Sequence, residues 1–469
     1  MNVTICGINP RAKHLQGGNT VITSATRLTL SIVLGLGAFA ASAEPDSVFW
    51  PRFRGADGRG IATDTRLPDT WSATENVEWK VDIPGRGWSS PVVTGGRIYF
   101  TTVVSAEEME AAKKGLYFGG ERAKPSEAEH EWKVICLDLA TGEPRWDKTV
   151  RKGLPAMPIH IKNSYASETP VTDGTHVYVT FGNVGIYCFD LDGNEVWNLP
   201  LAPVKTRFGW GPAASPVLHG DRLYYVSDNE EQSYLLALDK NTGKEIWRTP
   251  RDERSNWATP FVWENSVRTE IVTTGSMANR SYDLDGKELW SLTGMSSITI
   301  AMPYAADGLL YLSSGYVGDK KRPVFAIKPG ATGDITLAPD ATSNEWIAWS
   351  APQIAPYNPS TLVHDGRLFV LYDRGTVGCY NAATGAPYYE KQKLEGSAGF
   401  TVSPWAVGDK IFCLDEDGNC FVLRAGETFE LLHTNKLAED DMCMATPALA
   451  GDRLLLRTAA RLYSIRKPN

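Results

Sequence analysis

Ten side chains stand where a pocket could be built: Trp88, His160, Asn163, Glu168, Arg207, Trp210, Asn256, Trp257, Tyr357 and Asn358. Most sit just ahead of short segments such as SSPVV, ETPVT, ASPVL, ATPFV and STLVH, with His160, Arg207 and Glu168 adding charge nearby, and Lys162, Tyr165, Phe208 and Met442–Met444 extend the set. Flat rings stack on a guest, amides orient it and a few charges select its sign, which is the chemistry of a concave recognition site. Trp210 and Trp257 stand beside small or amide residues, so their rings are expected to be accessible. Bond-making chemistry has no comparable signal, because the chain contains neither G-x-S-x-G nor H-E-x-x-H. Its seven histidines are scattered without metal-ligand spacing. No catalytic residue and no metal ligand is therefore expected. Packing alone offers a second reading, in which the same aromatics plug a channel and fill the gaps between neighbouring elements.

The elements that must position these groups repeat. LDLATGEPRW (Leu137 to Trp146), FDLDGNEVW (Phe189 to Trp197), LDKNTGKEIW (Leu238 to Trp247) and YDLDGKELW (Tyr282 to Trp290) are copies of one phrase. Self-similarity at 40–50 residues marks a propeller or solenoid. Each unit reads as an opening strand, a glycine-bearing turn, a second strand such as RIYFTTVV or RLYYVSD, an apolar third strand, the D-x-x-T-G turn, and a fourth strand ending on Trp. Glycine takes the special angles of that turn, Asp caps it and Trp packs on the next unit. The openings begin at Ser89, Glu168, Ala214, Ala258, Ala301, Ser360, Val402 and Ala445, which makes eight units. The last unit stops after three strands, whereas ENVEWKVDIP around Trp79 precedes the first opening. The N-terminal strand is therefore expected to complete the last unit and remove the free edges. The fold class is all-β, an eight-bladed β-propeller of four-stranded antiparallel blades. One insert, residues 106–132, interrupts the first unit, and its alternating charge predicts a short solvated helix and a projecting loop.

The string ALDKNTGKEIW, Ala237 to Trp247, resembles the tryptophan-docking motif of the PQQ-like β-propeller repeat family. That family includes pyrroloquinoline quinone (PQQ)-dependent alcohol dehydrogenases and a non-catalytic propeller lipoprotein of bacterial outer-membrane assembly. WPRFRGADGRG, from Trp50, resembles the start of a broad group of exported bacterial members. The resemblance implies the propeller across nearly the whole mature chain. In the quinoproteins it also implies a calcium ion on Glu, Asn and Asp oxygens, an Asp base and, in many, a bridge between adjacent cysteines. This chain has no Cys-Cys pair, and its second-unit strand TFGNVGIYCFD does not match the Glu-bearing strand of those enzymes. No cofactor is expected, and PQQ with calcium belongs only to the alternative of a quinoprotein oxidoreductase acting on an alcohol or sugar. A carbohydrate-binding propeller is a further alternative.

Residues 1–43 carry Arg11, Lys13 and Arg27 and no acidic side chain, run apolar from Leu28 to Ala41 and end on Ala-Ser-Ala. They read as a signal peptide cleaved after Ala43, followed by a propeller domain over 44–469. The mature chain would hold 44 basic against 55 acidic residues, a formal −11, which disfavours nucleic acid and anionic lipid. Of the six cysteines beyond the leader, Cys136, Cys188 and Cys379 occupy equivalent places in three units, so they read as small buried residues rather than bridges. The whole describes an exported, periplasmic or extracellular monomer without a membrane span. It binds a protein or peptide partner in the cell envelope, or a small molecule at the channel mouth, rather than transforming one.

Overall fold

Alternating apolar residues in the second and third strands of each unit have only one way to be buried on both faces, which is between two neighbouring copies of the same sheet. The computed structural model describes residues 48–64, 66–437 and 441–468, so the expected leader lies outside the described residues. It contains eight four-stranded antiparallel sheets, two of which gain an extra short strand. Blades 1 to 7 span 92–153, 171–200, 217–251, 261–292, 304–351, 362–393 and 405–436. Blade 8 takes its three inner strands from 448–465 and its outermost strand from Val77–Asp82, which pairs with Arg461–Ile465. Closure by the N-terminal strand is thus as expected. The apolar clusters lie between blades: one joins Val92, Tyr99 and Val134 of blade 1 to Val177 and Phe189 of blade 2. Another joins Leu223 and Leu236 of blade 3 to Tyr178 and Trp197 of blade 2. All six cysteines from Cys136 to Cys443 are buried and free.

The repeated phrase works as a joint. In blade 3, Asp239 Oδ1 accepts the backbone N–H groups of Asn241 and Thr242 and shapes the turn. Gly243 then takes φ +68°, and a Cβ there would lie 2.4 Å from Cε3 of Trp197 in blade 2. The Trp197 ring lies flat on the glycine and its Nε1 donates to the carbonyl of Lys240 at 2.8 Å. Trp79, Trp146, Trp247 and Trp349 bond in the same way to Leu139, Leu191, Leu284 and Ala382 of the following blade. Trp290 departs from the expected pattern. Its Nε1 donates to Glu270 within blade 4 at 2.8 Å, and the extra strand Gly333–Asp334 pairs beside it. The fully buried Glu270 also accepts Asn265 Nδ2–H and Ser281 Oγ–H and pairs with Arg268, so the indole N–H joins a polar cluster inside its own blade.

A second joint lines the channel. Seven of the eight openings place a Ser or Thr at this point, and in six of them the hydroxyl accepts a backbone N–H of the preceding blade. Ser90 N donates to Thr169, Thr169 N to Ser215 and Ser215 N to Thr259, at 2.9–3.1 Å. Met302 N donates to Ser360, Ser360 N to Ser403 and Ser403 N to Thr446, again at 2.9–3.1 Å. Blade 5 supplies Met302 in place of a hydroxyl, which interrupts the series.

Residues 50–62 run across one end of this channel. Trp50 bridges Val93 of blade 1, Thr172 N of blade 2 donates to the Pro51 carbonyl, and Ile61–Ala62 pairs with the inner strand of blade 7. Arg52 lies over Phe261 of blade 4 and Arg54 over Tyr304 of blade 5. Arg54 is completely buried, donates to the carbonyls of Arg59 and Thr361, and burial lowers its pKa to about 10. The glycines of GADGRG serve this crossing, since Gly55, Gly58 and Gly60 all have positive φ.

Candidate functional site

The opposite end of the channel is the mouth, where each blade contributes one residue: Trp88, Ser167, Ala213, Trp257, Ile300, Asn358, Thr401 and Met444. These eight line both a cavity of about 220 Å³ at the mouth and a narrower space of about 150 Å³ beneath it. Below them lies the Ser/Thr tier from Ser90 to Thr446, with Phe53 rising from the far end. The channel is therefore aromatic above and hydroxyl-lined below.

Seven of the ten expected side chains meet at the mouth: Trp88, His160, Asn163, Trp210, Trp257, Tyr357 and Asn358. Most of their polar atoms are already engaged. Trp88 Nε1 donates to the Lys162 carbonyl at 2.9 Å and Trp257 Nε1 to that of Gly211 at 2.7 Å. Asn163 Nδ2 donates to the Trp210 carbonyl, while its Oδ1 accepts Ser164 N–H and Ser167 Oγ–H. Asn358 donates through both its backbone N–H and Nδ2 to Asp373, and Tyr357 N–H donates to the other oxygen of that carboxylate. Burial holds Asp373 above the usual carboxylate range. Trp210 and Trp257 are only 7 % and 9 % exposed and pack on each other at 6.1 Å, so they offer limited ring surface rather than open faces.

The other three lie outside the mouth. Glu168 is buried behind it, accepts Gly182 N–H at 2.9 Å, and burial pushes its pKa up to about 8. Asn256 is buried in the wall, bonded to Asp228, Thr274 and Thr299. Arg207 stacks on Phe208 at 4.9 Å and donates to the Ser297 carbonyl. Arg207 and Asn256 precede strand openings as the mouth residues do and Glu168 begins one, and side-chain direction, which spacing does not encode, separates them from the mouth.

What sequence reasoning missed is the roof. The insert contains no helix: residues 106–129 leave blade 1 after Ser105, cross the mouth and return at His130, the strand partner of Ser105. Gly115 N–H donates to Glu416 Oε2 of blade 7 at 2.7 Å, and its carbonyl accepts Lys162 Nζ of blade 2 at 2.8 Å. Lys162 also pairs with Glu416, and Lys114 pairs with Asp417. His160 Nδ1 accepts Lys162 N–H and its Nε2–H donates to the Phe118 carbonyl at 3.1 Å, a pattern only the neutral ring satisfies. Burial lowers the His160 pKa in the same direction. Tyr117 stacks on His160, and Phe118 meets Phe208 and Trp210 edge-on. In place of the expected helix, Ala106 N–H donates to the Glu129 carbonyl and Lys113 N–H to the Tyr117 hydroxyl, and Gly115, Gly119 and Gly120 take positive φ, so the segment runs as an extended strap. The one available signal is Leu116-Tyr117-Phe118, three apolar residues flanked by glycines inside a charged insert.

The comparisons agree with this architecture. Residues 182–335 match a family model described as outer membrane protein assembly factor BamB. The match likens this part of the chain to the PQQ-like β-propellers. Over 211 residues it is 23 % identical to outer membrane protein assembly factor BamB of Burkholderia pseudomallei (strain K96243), a match covering 40 % of this chain and 51 % of that protein. The aligned part thus spans about half the length of this curated relative. A europium-containing methanol dehydrogenase shares the fold with TM-score 0.55 at 12 % identity, over 88 % of this chain and 90 % of that one. A quinohemoprotein alcohol dehydrogenase from Pseudomonas putida HK5 shares it with TM-score 0.54 at 10 % identity, over 91 % and 82 %.

The mouth of this propeller offers a quinone–calcium pair no carboxylate in its lining. Among the described residues, no Asp or Glu lines either cavity, so no carboxylate faces the space to ligate a hard cation or take a proton. Nor does any group of three His, Cys, Asp or Glu side chains stand ready to hold a metal among the described residues. Glu168 is sealed in the wall, and Glu416 is held by Gly115, Thr401 and Lys162. Hydrogen-bonded orientation and apolar contact are what the remaining groups can supply. No described helix is long and apolar enough to cross a membrane.

Proposed function

We propose that this protein is an exported, non-catalytic binding module or scaffold that acts in protein assembly at the cell envelope and receives its guest at the aromatic mouth of the channel. The observation that carries this reading is the state of the mouth's polar groups. Indole N–H groups, the His160 ring and the Asn163 amide are engaged in holding the wall and strap, Lys162 is paired with Glu416, and no carboxylate among the described residues lines the cavity. A guest meets ring surface and a few oriented dipoles, which favours retention over reaction. The partial likeness to an assembly factor supports an envelope role, and the leader expected over 1–43 would deliver the mature monomer there.

The test is affinity capture from envelope extracts with the chain from residue 44, followed by mass spectrometry, beside a Trp210→Ala/Trp257→Ala variant. Both indoles are packed, so the variant is first shown to unfold cooperatively. Envelope proteins captured by the parent and lost by the variant are expected. Equal capture by both, or stoichiometric quinone binding with alcohol-dependent dye reduction after reconstitution with PQQ and calcium, would refute the reading.

A further inference from the structure

We infer that the strap over the mouth, residues 106–129, is a resident stand-in for an extended polypeptide partner, and that such a partner binds by displacing it. This rests on the mouth being a binding site and adds what binds there and what controls it.

The strap is held chiefly by its main chain. Glu416 accepts Gly115 N–H, Lys162 Nζ donates to the Gly115 carbonyl, and His160 Nε2 donates to the Phe118 carbonyl. Trp210 Nε1 donates to the Gly120 carbonyl at 3.2 Å, and Arg122 N–H donates to the Phe208 carbonyl at 2.8 Å. Four side chains from blades 2, 3 and 7 thus grip peptide groups that almost every residue possesses, which is how an extended chain is recognised without a strict sequence. Side-chain anchoring comes second: Lys114 pairs with Asp417, Tyr117 stacks on His160 at 5.6 Å and Phe118 packs edge-on to Trp210 at 5.6 Å. Phe118 is nevertheless 50 % exposed, so this anchor is incompletely buried.

The resident strap also leaves space. Leu116 lines the cavity, where about 220 Å³ remains beside Trp88, Trp257 and Tyr357. A chain with a larger apolar residue at that place would keep the main-chain bonds and bury more apolar surface. Leaving is easy for the strap, because Ser105 and His130 are direct strand partners and Ala106 N–H donates to the Glu129 carbonyl. Lifting the segment between them leaves the blade 1 ladder whole.

The test compares the chain from residue 44 with a version in which residues 106–129 are replaced by an Asn-Gly turn joining Ser105 to His130. The probe is a fluorescent, end-blocked peptide of residues 112–123, AKKGLYFGGERA, titrated by anisotropy. The excised protein is expected to bind it at least about tenfold more tightly than the intact chain, whose tethered strap competes at an effective concentration of about millimolar. A Phe118→Ala peptide is expected to bind at least about tenfold more weakly and a Leu116→Trp peptide at least about threefold more tightly. Equal affinity of excised and intact proteins, or of the three peptides, overturns the inference. Should the excised protein misfold, Tyr117→Ser/Phe118→Ser in the full chain loosens the strap without touching the groove, and the same titration decides: tighter probe binding supports displacement and unchanged binding overturns it. The titration contains no envelope component. Probe binding without partner capture therefore refutes the assembly role alone, and capture without any excision effect refutes displacement alone.

Discussion

Replacing Gly243 with alanine tests the joint between blades in a way that separates backbone strain from docking. Gly243 sits at φ +68°, and an added Cβ would lie 2.4 Å from Cε3 and 2.6 Å from Cδ2 of Trp197. Gly366, in a hairpin turn at φ +70°, has nothing within 4 Å of the same position and serves as the matched control. Left-handed backbone costs an alanine about 1–2 kcal/mol at either site. At Gly243 the ring must also retreat by about 1 Å to reach a normal carbon contact of about 3.5 Å, an overpacking cost of about 1–3 kcal/mol. That movement strains the 2.8 Å bond from Trp197 Nε1 to the Lys240 carbonyl, adding about 1 kcal/mol. Gly243→Ala should therefore lose about 3–6 kcal/mol against about 1–2 kcal/mol for Gly366→Ala. Equilibrium urea unfolding, followed by tryptophan fluorescence and by circular dichroism to check that the probes coincide, measures both. If the two variants fall within about 0.5 kcal/mol of each other, the ring-on-glycine contact is not what joins the blades.

Two further outcomes follow from the buried polar groups. Burial raises the Glu168 pKa from 4.5 to about 8, so the native state holds this proton more tightly than the unfolded chain does. Its stabilising effect is full below pH 4.5 and is lost as pH rises through 8, so Glu168→Gln should match the parent near pH 5 and exceed it near pH 9. The gain is bounded at about 4–5 kcal/mol, and urea unfolding at the two pH values showing a pH-independent difference would exclude this account. Ser360→Ala removes the acceptor of Met302 N–H between blades 5 and 6 and should cost about 1–3 kcal/mol. Ser90→Ala, whose hydroxyl accepts no blade-to-blade bond among the described residues, should change stability by less than about 0.5 kcal/mol in the same unfolding assay.

The candidate site was legible in part. Aromatic and amide residues ahead of the openings pointed to the mouth because the opening strand of every blade faces the channel, and this placed Trp88, Asn163, Trp257 and Asn358 together. The same rule included Glu168, Asn256 and Arg207, which stand at or just ahead of openings but point elsewhere. Position along a repeat specifies height in a propeller; it does not specify whether a side chain turns toward the channel or into the wall. The Ser/Thr-Pro openings were visible as a pattern, but their inter-blade bonds emerge only when eight copies are set in a circle.

By itself the sequence determined the blade count, the D-x-x-T-G turns, the place of the docking tryptophans and closure by the Val77–Asp82 strand. Each follows from local rules of side-chain alternation, turn angles and repeat period that act over a few residues. Only the tertiary structure decided that Trp290 turns into its own blade, that residues 50–62 cross one end of the channel and that the insert roofs the other. Gly115 and Glu416 are 301 positions apart, and the bond between them depends on an insert of blade 1 reaching across a ring completed by the last blades. No local pattern encodes such a contact, because its two halves acquire a common place in space only after the circle has closed.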